Sequence, residues 1–194
     1  MDTEMWRKYQ ARTAGGKPRP LLIKAISYVK EKGAALDIGA GALNDVDFLL
    51  SFADGFHEIV AVDKLPQFKK ILVPNNIQFT YIETEIEKFD FPENHFNLIS
   101  AQFVLPFIQK EEFDKVWERV NDALKPGGVF VGQLFGDRDD WAGRSGMTFH
   151  TKNDVDRLIS KFEVISCDEI EYIEESNRKK HWHYFDLILK KPAR

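Results

Sequence analysis

Cysteine is nearly absent from this sequence: Cys167 is the single example among 194 residues, so no disulfide can form within the chain. Long apolar runs are also lacking, and none approaches the roughly 20 residues that a membrane-spanning helix requires. The first residues have neither the basic flank nor the apolar stretch of a secretion signal. These absences predict a protein of the reducing cytoplasm that has no membrane partner.

An excess of basic residues is lacking as well. The 27 lysines and arginines are outnumbered by 31 acidic residues, which gives a formal net charge of -4. Surfaces that bind nucleic acids depend on clustered positive charge. We therefore expect no nucleic-acid partner. We also expect no metal ion, and nothing in the sequence predicts an oligomeric state.

The chain has enough apolar residues, 43% of the total, to build the core of one domain, residues 1–194. Glycines and prolines at 15–20 separate an N-terminal arm or lid, residues 1–18, from a core of residues 19–194. Short apolar runs in this core predict buried parallel strands at 34–38, 58–62, 77–82, 96–101 and 129–134. The helical spacing of apolar residues predicts helices at 21–29, at 113–120 and after 151.

Two further strand-like runs, 162–170 and 182–189, end the core. They are joined by about ten polar residues, which leaves no room for a crossover helix and makes the two strands antiparallel. Strands that alternate with helices and end in such a hairpin favour an α/β fold. The expected architecture is a Rossmann-like, doubly wound sheet, mostly parallel, with one antiparallel C-terminal strand.

A glycine-rich loop follows the first predicted strand. Gly39, Ala40 and Gly41 are small enough for a ligand to approach the backbone at a helix N-terminus. A dinucleotide-binding loop would place its third glycine at 44, where Asn44 stands. Asp37 precedes the loop, and a carboxylate there suits a cationic ligand better than a pyrophosphate.

The second predicted strand leads into Asp63 and Lys64. A carboxylate at the tip of this strand is well placed to accept hydrogen bonds from both hydroxyls of a ribose. The alternative role for Asp63 is to cap a helix that would begin at Leu65 and Pro66. The glycine loop upstream favours the ligand role.

Several segments with these features resemble the class I S-adenosylmethionine-dependent methyltransferases, in the group that includes tellurite-resistance-type and other small-molecule enzymes. The resemblance extends over about residues 20–190. The segments that carry it are 36–41, 62–63, 85–86, 96–99 and 124–128. Two residues depart from the family pattern: Leu43 stands at a small-residue position of the loop, and Asn97 replaces an aspartate.

The resemblance implies S-adenosylmethionine as the cofactor and assigns residues to its parts. The glycine loop would hold the methionyl end, Asp63 the ribose, and Glu85 with the Ile86 backbone the edge of the adenine. We also expect Lys64 and Gln102, which each follow a predicted strand, to lie at the donor site.

The acceptor should bind outside the carboxyl ends of the parallel strands, where ligands of open α/β sheets lie. The segments that reach this edge are the arm, residues 101–103, 136–150 and 171–180. Their candidate pocket residues are Trp6, Tyr9, Phe103, Trp141 and Trp182.

No catalytic residue is identified, because methyl transfer to a positioned acceptor does not require a strong base. If a base is used, His150 and His183 are the candidates, and a structural role for each is the competing interpretation. We expect Trp141, His150, Trp182 and His183 to meet at one edge of the sheet. Because neighbouring strand residues point to opposite faces, we expect His183 to face the pocket and Trp182 to pack under a helix.

The predicted function is therefore transfer of a methyl group from S-adenosylmethionine to a small-molecule acceptor. Two alternatives share the fold: an oxidoreductase that binds NAD through the same loop, and a non-catalytic module that binds S-adenosylmethionine.

Overall fold

One mixed β-sheet is the framework of the computed structural model, which describes residues 3–52, 55–175 and 179–193. Its strands are β1 (Ala34–Ile38), β2 (Glu58–Asp63), β3 (Gln78–Glu83), β4 (Phe96–Ala101), β5 (Leu124–Gly136), β6 (Phe149–His150), β7 (Glu163–Glu174) and β8 (Lys180–Lys190). Their spatial order is β3-β2-β1-β4-β5-β8-β7, and β6 pairs with the end of β5.

The strand directions confirm the predicted fold class. Strands β1 to β5 pair in parallel, and β8 runs antiparallel to both β5 and β7. The loop that joins β7 to β8 contains residues 176–178, which lie outside the described residues and belong to the expected acceptor segment 171–180. The sheet is therefore mostly parallel, with a single reversed strand near its C-terminal edge.

Five α-helices flank the sheet in the described part of the chain. They are α1 (Thr3–Thr13), α2 (Pro20–Ala25), α3 (Asn44–Leu50), α4 (Lys110–Ala123) and α5 (Lys152–Ile159). Short 3-10 helices follow α2, at Ile26–Tyr28, and stand at Ile86–Lys88 and Leu105–Phe107. Helix α5 begins with a capping box formed by Thr151 and Asp154, after residue 151 as the sequence predicts. None of the helices described here is both long and apolar enough to cross a membrane.

Every residue of β1 and β4 is buried, because helices cover both faces of the sheet. Residues of β1 alternate between two apolar cores. Leu36 packs in the core that also contains residues of α4 and α5, whereas Ala35 packs in the core formed with α2 and α3. Burial of one large apolar side chain contributes about 1.5–3 kcal/mol, so these two cores hold the strand ends in place.

Strand β5 begins earlier than the predicted start at residue 129, because Leu124 pairs with Phe96 of β4 and the turn that follows it pairs with Lys191. The Gly127 N–H donates to the Lys191 carbonyl, and the Lys191 N–H donates to the Gly128 carbonyl, both at 2.9 Å. Gly127 has a φ of 80°, which a glycine adopts without strain.

The two departures from the family pattern have defined places in the fold. Leu43 is fully buried and has a φ of 65° at the start of α3, where a glycine would be unstrained. The Asn97 side-chain carbonyl accepts a hydrogen bond from the Ala34 N–H at 3.0 Å. An amide oxygen can accept this bond as a carboxylate would, so the start of β1 remains tied to β4.

Candidate active site

The glycine loop bends sharply at the carboxyl end of β1. Gly39 and Gly41 have φ values of 71° and 50°. The N–H groups of Gly39 and Ala40 both donate to the Val62 carbonyl, at 2.7 and 3.1 Å. A Cβ atom at Gly39 would lie 2.7 Å from the Val104 side chain, so only glycine fits at this point. The loop therefore gives a ligand close access to the backbone before α3.

Asp37 lies under this loop and is only 3% exposed. Burial raises the pKa of Asp37 well above its ordinary value, and the charges of Asp45 and Asp63 raise it further. A hydrogen bond with Ser100 acts in the opposite direction. Burial also raises the pKa of Asp45, which accepts a hydrogen bond from the Arg19 N–H at 2.7 Å. A cationic ligand would reduce the cost of placing these carboxylates together.

Asp63 uses both carboxylate oxygens to order the backbone around it. Its Oδ2 accepts from the Gly41 N–H at 2.9 Å, and its Oδ1 accepts from the Leu65 N–H at 2.8 Å. No helix begins at Leu65, since β3 is the next regular element of the described chain, so Asp63 closes a turn and does not cap a helix. A carboxylate has about four acceptor positions, so room remains for ligand hydroxyls as well.

The other residues predicted to bind the methyl donor after β2 are Lys64, Glu85 and Ile86, and their side chains point in different directions. Lys64 extends toward the arm, with its ammonium 4.9 Å from the centre of the Trp6 ring. Glu85 is turned toward Lys88 and forms an ion pair at 2.5 Å, which lowers the pKa of Glu85. Ile86 is buried. The adenine contact of Glu85 and Ile86 thus stays a prediction.

Gln102 belongs to a row of polar side chains that crosses the sheet. Its Nε2 lies 3.4 Å from the Ser100 hydroxyl, and its Oε1 accepts from the Gln133 amide at 3.2 Å. The Gln133 amide also donates to Asp186 at 3.0 Å. Because Ser100 is hydrogen-bonded to Asp37 as well, the row connects the glycine loop with β8.

The N-terminal arm lies on the glycine loop. The Gln10 side-chain amide of α1 donates to the Gly41 carbonyl at 2.7 Å, and Gln10 is 5% exposed. The Asn44 amide donates to the Thr13 carbonyl at 2.8 Å. At the edge of the arm, the Tyr9 hydroxyl accepts from the Arg19 guanidinium at 2.8 Å.

Aromatic side chains collect at the carboxyl edge of the sheet, beside the arm. This aromatic cluster consists of Trp6, Phe103, Phe107, Phe135, Trp141, Trp182 and Tyr184. It brings together Trp6, Phe103, Trp141 and Trp182, four of the residues that the sequence predicted for the acceptor pocket. Tyr9 stands beside it, with its ring 6.1 Å from that of Trp6. The buried indole N–H of Trp6 has no hydrogen-bond partner among the described residues.

Sequence reasoning missed Lys180, whose ammonium lies inside the aromatic cluster. The Nζ atom is 3.6 Å from the centre of the Trp182 ring and 4.1 Å from that of Trp141. It also pairs with Asp139 at 2.6 Å, and the two side chains are 12% and 0% exposed. The signal that could have identified it is the two-residue spacing of Lys180 and Trp182, which puts both side chains on the same face of one strand.

The histidines do not lie where we expected. Trp182, rather than His183, contacts Trp141, with the ring centres 5.5 Å apart. His183 is fully buried on the other face of β8, where it accepts from the Arg138 N–H at 3.1 Å and lies 2.9 Å from Glu169. This corrects the predicted orientations.

The reason for this reversal is the absence of a side chain at Gly136. A Cβ atom there would lie 2.0 Å from the His183 ring, so glycine opens the space that the ring fills. His150 is also buried, and it packs against Phe113 with ring centres 4.6 Å apart. Burial lowers the pKa of His150 to about 4, and its Nε2 has no partner among the described residues. The four residues therefore form no single group, because Trp141 and Trp182 pair while both histidines pack elsewhere.

No group of three or more metal-ligating side chains occurs in residues 3–52, 55–175 and 179–193.

Comparison with solved structures supports the fold. An S-adenosylmethionine-dependent methyltransferase from Methanosarcina mazei has a TM-score of 0.64 and 16% identity, covering 92% of this chain and 100% of that one. The 1,6-didemethyltoxoflavin-N1-methyltransferase of Burkholderia thailandensis, solved with 1,6-didemethyltoxoflavin and S-adenosylhomocysteine, has a TM-score of 0.64 and 18% identity, covering 90% and 77%. TehB from Haemophilus influenzae has a TM-score of 0.69 and 13% identity, covering 88% and 61%. At these identities the likeness is one of fold.

No curated protein matches the sequence. A family model described as a methyltransferase domain, however, matches residues 36–132, which is half of the chain. The matched segment contains the glycine loop, Asp63, the Glu85–Ile86 pair and Gln102. This chain therefore belongs to the methyltransferase-domain family.

Proposed function

We propose that this protein transfers the methyl group of S-adenosylmethionine to a small-molecule acceptor. The observation that carries the proposal is Asp37, a carboxylate buried directly beneath a glycine loop in a chain of the methyltransferase-domain family. Asp37 forms no ion pair with a lysine or arginine of the described chain, and the Arg19 charge offsets its burial only in part, so its pKa stays raised. Buried carboxylates of this kind are common where a charged ligand binds.

The residues present fit this donor. Its methionyl part carries an ammonium and a sulfonium, which complement Asp37 and Asp45. The glycine loop offers backbone N–H groups at close range, and Asp63 retains acceptor positions for the ribose. Glu85 and the Ile86 backbone take the adenine edge in this proposal, with Lys64 and Gln102 at either end of the donor. When bound, S-adenosylmethionine supplies an electrophilic methyl group. The protein contributes position and exclusion of water.

The aromatic cluster is the proposed wall of the acceptor site. Trp6, Phe103, Trp141 and Trp182 present flat apolar surfaces, which suit a small organic acceptor better than a charged polymer. Tyr9 lies at the edge of this wall. The overall acidic charge also argues against a nucleic-acid acceptor.

Calorimetric titration with S-adenosylmethionine, S-adenosylhomocysteine and NAD tests the donor. Both adenosyl ligands should bind more tightly than NAD, because Asp37 repels a pyrophosphate and the third dinucleotide glycine is replaced by Asn44. Tighter binding of NAD would favour the oxidoreductase alternative. Release of S-adenosylhomocysteine in the presence of an acceptor separates the enzyme from a non-catalytic binding module.

A further inference from the structure

A small cavity of about 170 Å³ lies between the start of α2 and the sheet. Its lining includes Arg19, Gln102, Phe103, Gln133, Tyr184 and Asp186. Pockets for drug-sized ligands usually measure roughly 300–1,000 Å³, so this cavity suits a smaller molecule. We call it the Asp186 cavity.

Two aromatic rings form one side of the cavity. The rings of Phe103 and Tyr184 meet edge to face, with centres 5.3 Å apart, and the Arg19 guanidinium lies 5.5 Å from the centre of the Phe103 ring. Phe103 has a φ of 53°, a conformation that a bulky residue rarely adopts. Its N–H donates to the Gln133 side-chain carbonyl at 2.9 Å, which helps to hold it there. Backbone strain of this kind is concentrated at functional sites.

The polar side of the cavity is built around Gln133, which is 2% exposed and fully hydrogen-bonded. Its carbonyl accepts from Phe103, and its amide donates to Gln102 and to Oδ1 of Asp186. Oδ1 of Asp186 is thus occupied by the hydrogen bond from the Gln133 amide. The other oxygen, Oδ2, accepts no hydrogen bond from any described residue, and the Tyr184 hydroxyl likewise has no partner among them.

The cavity adjoins the proposed donor site through the polar row. Gln102 lines the cavity and lies 3.4 Å from the Ser100 hydroxyl, which is hydrogen-bonded to Asp37 beneath the glycine loop. A molecule in the cavity would therefore contact Gln102, which is linked to Asp37 by two hydrogen bonds through Ser100.

We propose that the Asp186 cavity is the acceptor seat, and that it takes a small, uncharged aromatic or heteroaromatic molecule whose N–H or O–H group donates to Oδ2 of Asp186. The inference rests on the proposed function. The ring faces select a flat apolar body, and the free carboxylate oxygen selects a polar hydrogen. The lining carries one negative charge, at Asp186, and one positive charge, at Arg19, so its net charge favours neither an anion nor a cation over an uncharged acceptor. Burial raises the pKa of Asp186, so a donor in the cavity would also offset the cost of its partial desolvation.

Indole and 1-methylindole provide a matched pair of probes, because they share a flat body and differ in the N–H group. We would measure their binding to the full chain by ligand-observed NMR at saturating S-adenosylhomocysteine. Indole should bind about tenfold more tightly, as expected for one hydrogen bond to a charged acceptor. Equal binding of the two probes, or no binding of indole, would overturn the inference, and either result is obtained with the unmodified protein.

Asp186→Asn gives the second test. Because the Gln133 amide must still meet an oxygen, the new Asn amide would face the cavity as a donor, and the preference for indole should disappear. Asp168→Asn is the matched control, since Asp168 pairs with Asp186 across β7 and β8 but is exposed. A preference that survives in Asp186→Asn contradicts the proposal.

Calorimetry with S-adenosylhomocysteine on the same preparations distinguishes failure of the acceptor seat from failure of the proposed function. Donor binding without discrimination between the probes refutes the acceptor seat alone. Discrimination without donor binding refutes the proposed function and leaves the cavity as a seat for a polar aromatic ligand.

Discussion

The buried carboxyl group of Asp37 should cost less free energy when a cationic ligand is bound than in the free protein. Its raised pKa means that the folded protein holds the proton more tightly than the unfolded chain does. The stabilising contribution of the protonated side chain is therefore complete below the ordinary pKa of 3.8 and is lost as the pH rises through the higher folded value. At neutral pH the buried Asp37 therefore weakens the unliganded fold, because the unfolded chain gives up this proton more readily than the folded protein does.

Asp37→Asn should consequently stabilise the free protein while weakening the donor. We expect a higher free energy of unfolding in urea at pH 7, with the difference from the unmodified protein shrinking toward pH 4. Affinity for S-adenosylmethionine should fall about tenfold or more, as for loss of a charge-assisted hydrogen bond. Asp47→Asn, a change of an exposed acid on α3, is the control for both measurements. Unchanged donor affinity would remove Asp37 from the site.

Asp63 supports both the loop and, in the proposed function, the ribose. Asp63→Ala should weaken binding of S-adenosylhomocysteine by about 1.5–3 kcal/mol in a calorimetric titration, because a charged acceptor is removed. Asp63→Asn retains one acceptor oxygen and should lose less. Asp90→Ala, which removes an exposed acid, should bind as the unmodified protein does. Full affinity in a folded Asp63→Ala protein would leave Asp63 only its bonds to the Gly41 and Leu65 backbone.

For single residues, the sequence predicts a place in the site where that place follows from local spacing. Asp37, Gly39 and Asp63 lie at strand ends, and a parallel sheet brings strand ends to one edge. The choice between Trp182 and His183 could not be predicted, because it depends on which strand face has room for a ring. The orientation depends on the space left by Gly136 in the neighbouring strand β5, and the sequence of β8 alone does not indicate it.

The position of a whole element, helix α1, likewise could not be predicted from its own sequence. The glycines and prolines at 15–20 predict a separate arm, but its contact with the glycine loop requires the Gln10 side chain to reach Gly41. Strand β6, two residues long, and the early start of β5 also follow from pairing with distant segments. The spacing of apolar residues within a segment predicts its secondary structure. Which other segments it pairs with is determined by the rest of the fold.

Gln10→Ala should loosen the arm and speed donor exchange. Removal of one hydrogen bond costs about 0.5–1.5 kcal/mol, so dissociation of S-adenosylhomocysteine should become roughly two- to tenfold faster. Stopped-flow mixing measures this rate. Lys8→Ala lies on the same helix but changes an exposed residue, and its rate should not change. An unaltered rate for Gln10→Ala would show that the arm does not limit donor release.

Two buried groups, His150 and Asp37, change the free energy of unfolding of the molecule in opposite directions as the pH falls. The pKa of His150 falls from 6.5 to about 4 on burial, so the folded protein binds its proton less tightly than the unfolded chain. Its stabilising contribution is present above pH 6.5 and is lost as the pH falls toward 4. Asp37 acts in the other direction, since its contribution grows as the pH falls.

His150→Leu should therefore flatten the pH dependence of stability. Urea unfolding between pH 7 and pH 4 should show a loss about 3 kcal/mol smaller than in the unmodified protein, the equivalent of the lowered pKa. His57→Leu changes an exposed histidine and should keep the original slope. Equal slopes for His150→Leu and the unmodified protein would mean that His150 is not held neutral by the fold.

The aromatic cluster also has an optical consequence. Three of the four tryptophans, Trp6, Trp141 and Trp182, belong to it, and only Trp117 lies apart, in α4 with its indole N–H bonded to the Leu158 carbonyl. The Lys180 ammonium lies against two of the three rings. Three of the four tryptophan fluorophores thus belong to the proposed acceptor wall, so we expect the emission spectrum to change when the site is occupied, without any attached dye.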